Sequence, residues 1–91
     1  MVSGSIGIPL TLYVRQGCHL CRDMEQQIRD LLETGTYRLT LVDIDADSAL
    51  KNRYNEWVPV LNHADQEICY HFLDLKALRA AQAGYNTLLD T

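Results

Sequence analysis

Cys18-His19-Leu20-Cys21 stands where the apolar run Leu10 to Val14 gives way to a helical pattern that begins at Leu20. That placement asks for a strand feeding directly into a helix start. A thiol in the first turn of a helix faces unpaired backbone N–H groups and the positive end of the macrodipole, both of which favour its thiolate. A second thiol one turn further on can reach back and close a disulfide. This is the minimum equipment for thiol–disulfide exchange, in which one sulfur attacks a partner disulfide and the other resolves the mixed intermediate.

Ninety-one residues make one domain, which can bury roughly 60–65% of the surface its unfolded chain exposes. Apolar residues at 47% and charged residues at 22% are ordinary globular usage and argue against disorder. The net charge of -4 comes with no basic block, so neither a nucleic-acid backbone nor an anionic membrane surface is a suitable partner. Met1 to Pro9 has no basic start and no apolar stretch long enough for export, and nothing downstream approaches a membrane span. A cytoplasmic monomer is expected. Three cysteines do not suit the paired framework of a secreted mini-protein, and reducing surroundings make a Cys-x-x-Cys pair catalytic or metal-binding.

Leu10 to Val14 is a short β-rich run bounded by Pro9 and Gly17 and reads as a strand. From Leu20, the apolar positions Met24, Ile28, Leu31 and Leu32 step helically, with Gly35 as a stop signal. Tyr37 to Ile44 reads as a strand of mixed pattern, as a strand covered on both faces would be. Asp45-Ala46-Asp47-Ser48 offers N-caps for a second helix ending near Tyr54. Val58 to Leu61 and Glu67 to Phe72 flank Asn62-His63-Ala64-Asp65-Gln66, read as a hairpin loop, and Asp74 can cap a last helix that stops at Gly84. The order β-α-β-α-β-β-α predicts an α/β fold with a four-stranded mixed sheet, parallel in its first half, antiparallel in its second, and helices on both faces.

Cys18 is the candidate nucleophile, nearest the helix start and beside His19 and Arg15, and Cys21 is the candidate resolving thiol. A protonated His19 beside the thiolate would stabilise the reduced form and make the disulfide more oxidising. Two other readings of the pair stay open. It could be inert core cysteines, or half of a zinc or iron–sulfur site completed by Cys69 with His71 or His63, although neither set has paired zinc-ribbon spacing. Pro59 interrupts an apolar strand and costs a ladder hydrogen bond, which points to a special role. Trp57 is either an aromatic face beside the site or a core residue, and Cys69 is a buried strand residue. Asp43-x-Asp45-x-Asp47 lacks the glycine and glutamate of a calcium loop and reads as strand end plus helix cap.

That order of elements, with Cys-x-x-Cys after the first strand and Val58-Pro59 opening the third, resembles the thioredoxin superfamily and more closely the glutaredoxin fold. Gly17-Cys18-His19-Leu20-Cys21 and Asp43-Ile44-Asp45 are similar to those of small bacterial glutaredoxin-like proteins. The likeness covers about residues 9–82 of a single domain, leaving 1–8 and 84–91 as tails. It implies a thiol–disulfide oxidoreductase with no tightly bound cofactor, acting on a protein or small-molecule disulfide, with glutathione as reductant or substrate. It also implies a cis Val58-Pro59 bond against the cysteine pair, with Val58 presenting its backbone to an extended substrate. Arg15 stands where many glutaredoxins hold a glutathione carboxylate with a lysine. Two departures weigh against simple glutathione chemistry. Trp57 replaces a threonine, and His71-Phe72-Leu73-Asp74-Leu75 stands where the family has Gly-Gly-x-Asp-Asp, keeping only Asp74. A metal-binding module and a non-catalytic interaction domain are the competing functions.

Overall fold

Alternating side chains on the first strand decide the layering of the molecule. In the computed structural model, which describes residues 7–32 and 37–89, β1 spans Ile8–Val14 and buries Ile8, Leu10 and Leu12 on one face. Thr11 and Tyr13 point to the other, as a period of two requires. Strand β2 (Tyr37–Asp43) pairs with β1 in parallel, from Ile8 opposite Tyr37 to Val14 opposite Asp43. Strand β3 (Val60–His63) pairs with β1 antiparallel, and β4 (Gln66–Tyr70) completes the sheet in the order β2-β1-β3-β4.

Helices α1 (His19–Leu32) and α3 (Leu75–Leu89) cover one face. Their Met24, Ile28 and Leu78 close over Ile8, Leu10, Leu12, Leu61 and Cys69, all buried. On the opposite face the short α2 (Ser48–Tyr54) supplies Tyr54 and Leu50 to a second cluster with Ile44, Val58, Val60 and Tyr13. Cys21 is buried in that cluster and Cys18 packs against it, so the cysteine pair sits where the helix start meets the second core. The predicted mixed α/β architecture is the observed one. No described helix is long and apolar enough to cross a membrane.

The structure departs from the sequence reading at several elements: β2 ends at Asp43 rather than Ile44, β3 begins at Val60 rather than Val58, and β4 ends at Tyr70 rather than Phe72. Strand β2 is an edge strand with one neighbour, so it is only partly covered and Leu41 stays exposed. A mixed apolar pattern cannot distinguish half coverage of an edge from full coverage of a centre. The five-residue hairpin loop is a two-residue turn, because Ala64 adopts a positive φ of 56° and lets His63 pair with Gln66. Helix α3 runs through Gly84 to Leu89, so most of the predicted 84–91 tail is helical. A glycine there costs about 1 kcal/mol relative to alanine, and packing of Ala81 and Tyr85 on the core outweighs it. Ile8, assigned to the other tail, begins β1; residues 1–6 and the Gly35 stop signal lie outside the described residues.

Candidate active site

Gly17 turns the chain out of β1 into α1 with a φ of 77°, a conformation that costs a side-chain-bearing residue roughly 1–2 kcal/mol. Cys18 then precedes the first helical residue, at the position where a cap side chain accepts from the third helical N–H. It does so through sulfur: the Cys21 N–H donates to Cys18 Sγ at 3.1 Å. Cys18 and Cys21 form a disulfide with their Cα atoms 5.2 Å apart. The two sulfurs differ in access, since Cys18 is half-buried while Cys21 is 3% exposed. A partner from solvent therefore reaches Cys18 before Cys21.

The Val58-Pro59 bond is cis. Val58 shares its cluster with Cys21 and Cys18, which puts this bond's first residue beside the pair, and Pro59 is buried. His71 ties the loop down from the other side. Its backbone N–H donates to the Pro59 carbonyl at 2.9 Å, and its Nε2–H donates to the Glu56 carbonyl at 3.1 Å. His71 itself takes a φ of 65°, and its ring stacks on Trp57 with centroids 6.0 Å apart.

The flanking candidates are placed less simply. Arg15 lines a depression of about 290 Å³ beside Cys18 and Cys21, but its guanidinium is engaged. It donates to Asp45 Oδ1 at 2.9 Å, to Asp45 Oδ2 at 3.3 Å and to Asn55 Oδ1 at 3.3 Å. His19 turns along the helix instead, its Nε2 3.3 Å from Asp23 and its side chain 79% exposed. Trp57 is a surface aromatic, 49% exposed, edge-on to Tyr70. Asp74 caps α3 by accepting from the Ala77 N–H at 3.0 Å. The acidic run does what its spacing suggested: Asp43 accepts from the Asp45 N–H, and Asp47 caps α2 through the N–H groups of Ala49 and Leu50.

The metal-site alternative does not assemble. Among the described residues no three His, Cys, Asp or Glu side chains converge as metal ligands. Cys69 is buried with the α1 and α3 core while the pair belongs to the other cluster, and His63 is bonded to the Pro9 carbonyl at 2.9 Å. Burial pushes the Cys69 thiol above its ordinary pKa. Sequence reasoning missed Asp45 and Asn55 as partners of Arg15, and His71 as the clamp of the proline loop. No local pattern marks contacts that span 15 to 40 residues of chain.

Comparison with known proteins agrees with this geometry. No curated protein matches the sequence. Protein Ne2328 from Nitrosomonas europaea is 37% identical, with a TM-score of 0.72 over 80% of this chain and 88% of its own. Protein XcR50 from X. campestris is 36% identical, with a TM-score of 0.61 over 82% of this chain and 96% of its own. The family model for the glutaredoxin-like domain (DUF836) matches residues 9–81, which contain the cysteine pair, the cis Val58-Pro59 bond and the strands that carry them. The chain therefore belongs to the glutaredoxin-like domain (DUF836) family.

Proposed function

We propose that this chain is a dithiol thiol–disulfide oxidoreductase, and the carrying observation is the half-buried Cys18 Sγ accepting the Cys21 N–H at the start of α1. The same donor and the helix dipole favour a thiolate at Cys18 in the reduced state. In the reaction the Cys18 thiolate attacks one sulfur of a substrate disulfide, the substrate S–S bond breaks, and the departing sulfur leaves as a thiolate that takes up a proton. The Cys21 thiol gives up its proton and attacks Cys18 Sγ. This releases the second substrate thiol and forms the Cys18–Cys21 disulfide, so two electrons have passed to the substrate. A thiol reductant, glutathione or a dithiol reductase, then reduces the pair. A cytoplasmic setting, where such reductants hold thiols reduced, suits this direction.

Arg15, His19, Trp57, Val58, Pro59 and Asp74 serve in this reading as the substrate-facing surroundings, with Val58 aligning an extended chain. The commitment of Arg15 to Asp45 and the bulk of Trp57 and His71 favour a protein disulfide over free glutathione as the oxidised substrate. The test is alkylation of the reduced protein across pH, together with turnover of a glutathione mixed disulfide and of a protein disulfide by the parent, Cys18→Ser and Cys21→Ser. Cys18 should react well below the pH range of a free thiol, and Cys18→Ser should lose roughly 100-fold or more in turnover. Cys21→Ser should accumulate the mixed disulfide. A Cys18 with ordinary thiol reactivity that forms no disulfide under a mild oxidant would sink the reading.

A further inference from the structure

Seven residues give α2 a length of only about 10 Å, too short to cover the whole face of a four-stranded sheet. It ends on Tyr54, stacked on Tyr13, and beyond Tyr54 the β3–β4 half of that face lies open as a cleft of about 360 Å³. Tyr54, Trp57 and Tyr70 wall the cleft with aromatic rings. Its polar lining is dominated by oxygen acceptors from paired strands and their turn: Asn62 faces Glu67 in the register, and Asp65 closes the hairpin.

Three observations define what the cleft can hold. Asn62 is 6% exposed, its Nδ2 donates to the Tyr54 hydroxyl at 3.4 Å, and its Oδ1, itself buried beneath the cleft, has no hydrogen-bond partner among the described residues. A buried acceptor left without a donor costs about 1–3 kcal/mol. The Asp65 and Glu67 side chains, both exposed, make no ion pair or hydrogen bond with any described residue. Among the described residues the one cation of the lining, Arg53, is held 5.3 Å over the Tyr54 ring, whose neighbour Tyr13 stacks on it as well, so the exposed rings left for a second cation are those of Trp57 and Tyr70. Among the described residues two carboxylates against one arginine leave the cleft net negative, in a chain whose net charge is -4.

Unpaired carboxylates, aromatic walls and net negative charge together select a group that has only donors, a positive charge and a face that stacks. We infer that the cleft is a specificity subsite for a cationic side chain, an arginine first and a lysine second, carried by the protein disulfide that the Cys18–Cys21 pair reduces. Trp57, one residue before Val58, connects the subsite to the proline loop, and Tyr54 both walls it and packs in the cluster that holds the cysteines. Arginine outranks lysine because its planar fork can stack on a ring while donating to several oxygens at once. The inference names the substrate class of the exchange reading and rests on it.

The test uses cystine peptides that carry one arginine at each position from one to four residues on either side of the cysteine, each matched with a citrulline peptide. Citrulline keeps the shape and removes the charge. For at least one position the parent should show kcat/KM about fivefold higher for arginine, or ~1 kcal/mol, and the ratio should fall below about twofold in Asp65→Asn/Glu67→Gln. No position above about twofold, or a preference that survives the double variant, would overturn the inference. Binding is read separately on Cys18→Ser by the fluorescence of Trp57, the single tryptophan of the chain. The arginine peptide should change the signal at lower concentration than its citrulline match, and equal titrations count against the subsite. Loss of all peptide turnover in the parent would instead defeat the exchange reading, while the titration still judges the cleft.

Discussion

Cys18 takes a hydrogen bond at the head of α1 that a serine or aspartate oxygen takes in most helices. The consequence is chemical as much as structural, because the donor that caps the helix also stabilises negative sulfur. Cys69 shows the opposite environment. It is buried in the α1 and α3 core, desolvation raises its pKa, and the nearby Asp74 and Glu67 carboxylates add to the rise against a hydrogen bond from the Asp74 backbone. In the reduced protein at neutral pH, iodoacetamide should label Cys18 first and leave Cys69 unlabelled until the fold opens, as peptide mass mapping will show. The linkage has a definite sign. A folded pKa above the unfolded one contributes stability that is whole below the ordinary thiol range and is lost as pH rises from that range through the folded value. Urea midpoints of Cys69→Val should therefore decline less steeply than those of the parent at alkaline pH. The Arg15–Asp45 pair, partly exposed, is worth only about 0–1 kcal/mol, so its importance lies in where it holds the guanidinium.

Elements follow their local signals most closely where a cap or a turn residue decides them. Asp47 has extended backbone and accepts from two N–H groups of the first turn of α2. Asp47→Ala should cost about 1 kcal/mol of stability in urea denaturation. Because α2 carries Tyr54 and Leu50 into the cluster around the cysteines, the same variant should loosen the site and raise the reactivity of reduced Cys21. Helix α1 was legible from its apolar spacing, and the hairpin from its apolar flanks. The ends of α3 and of the turn were not. Gly84 is a stop signal only if nothing beyond it packs, and Tyr85 does pack, with its ring edge on His63 at 5.6 Å. Ala64 carries no turn signature, yet strand pairing on both sides holds it at positive φ.

Across the whole molecule, β1 is the shared wall of two cores, since its odd and even positions serve opposite faces. Leu12, fully buried at its centre, should cost roughly 2–5 kcal/mol when truncated to alanine. Net stability for a domain of this size is about 5–15 kcal/mol, so Leu12→Ala should lower the denaturation midpoint by a large fraction of its value. The sequence by itself determined the element order, the mixed sheet and the cysteine pair at a helix start, because each rests on residues close together in the chain, whose periodicity and capping are local physics. Only the tertiary structure decided that Arg15 is spent on Asp45, that His71 clamps the proline loop, that β2 is an edge and that an acceptor-lined cleft opens past Tyr54. Those outcomes depend on side chains 15 to 40 residues apart meeting across a sheet, and on a helix too short to cover the face it packs against.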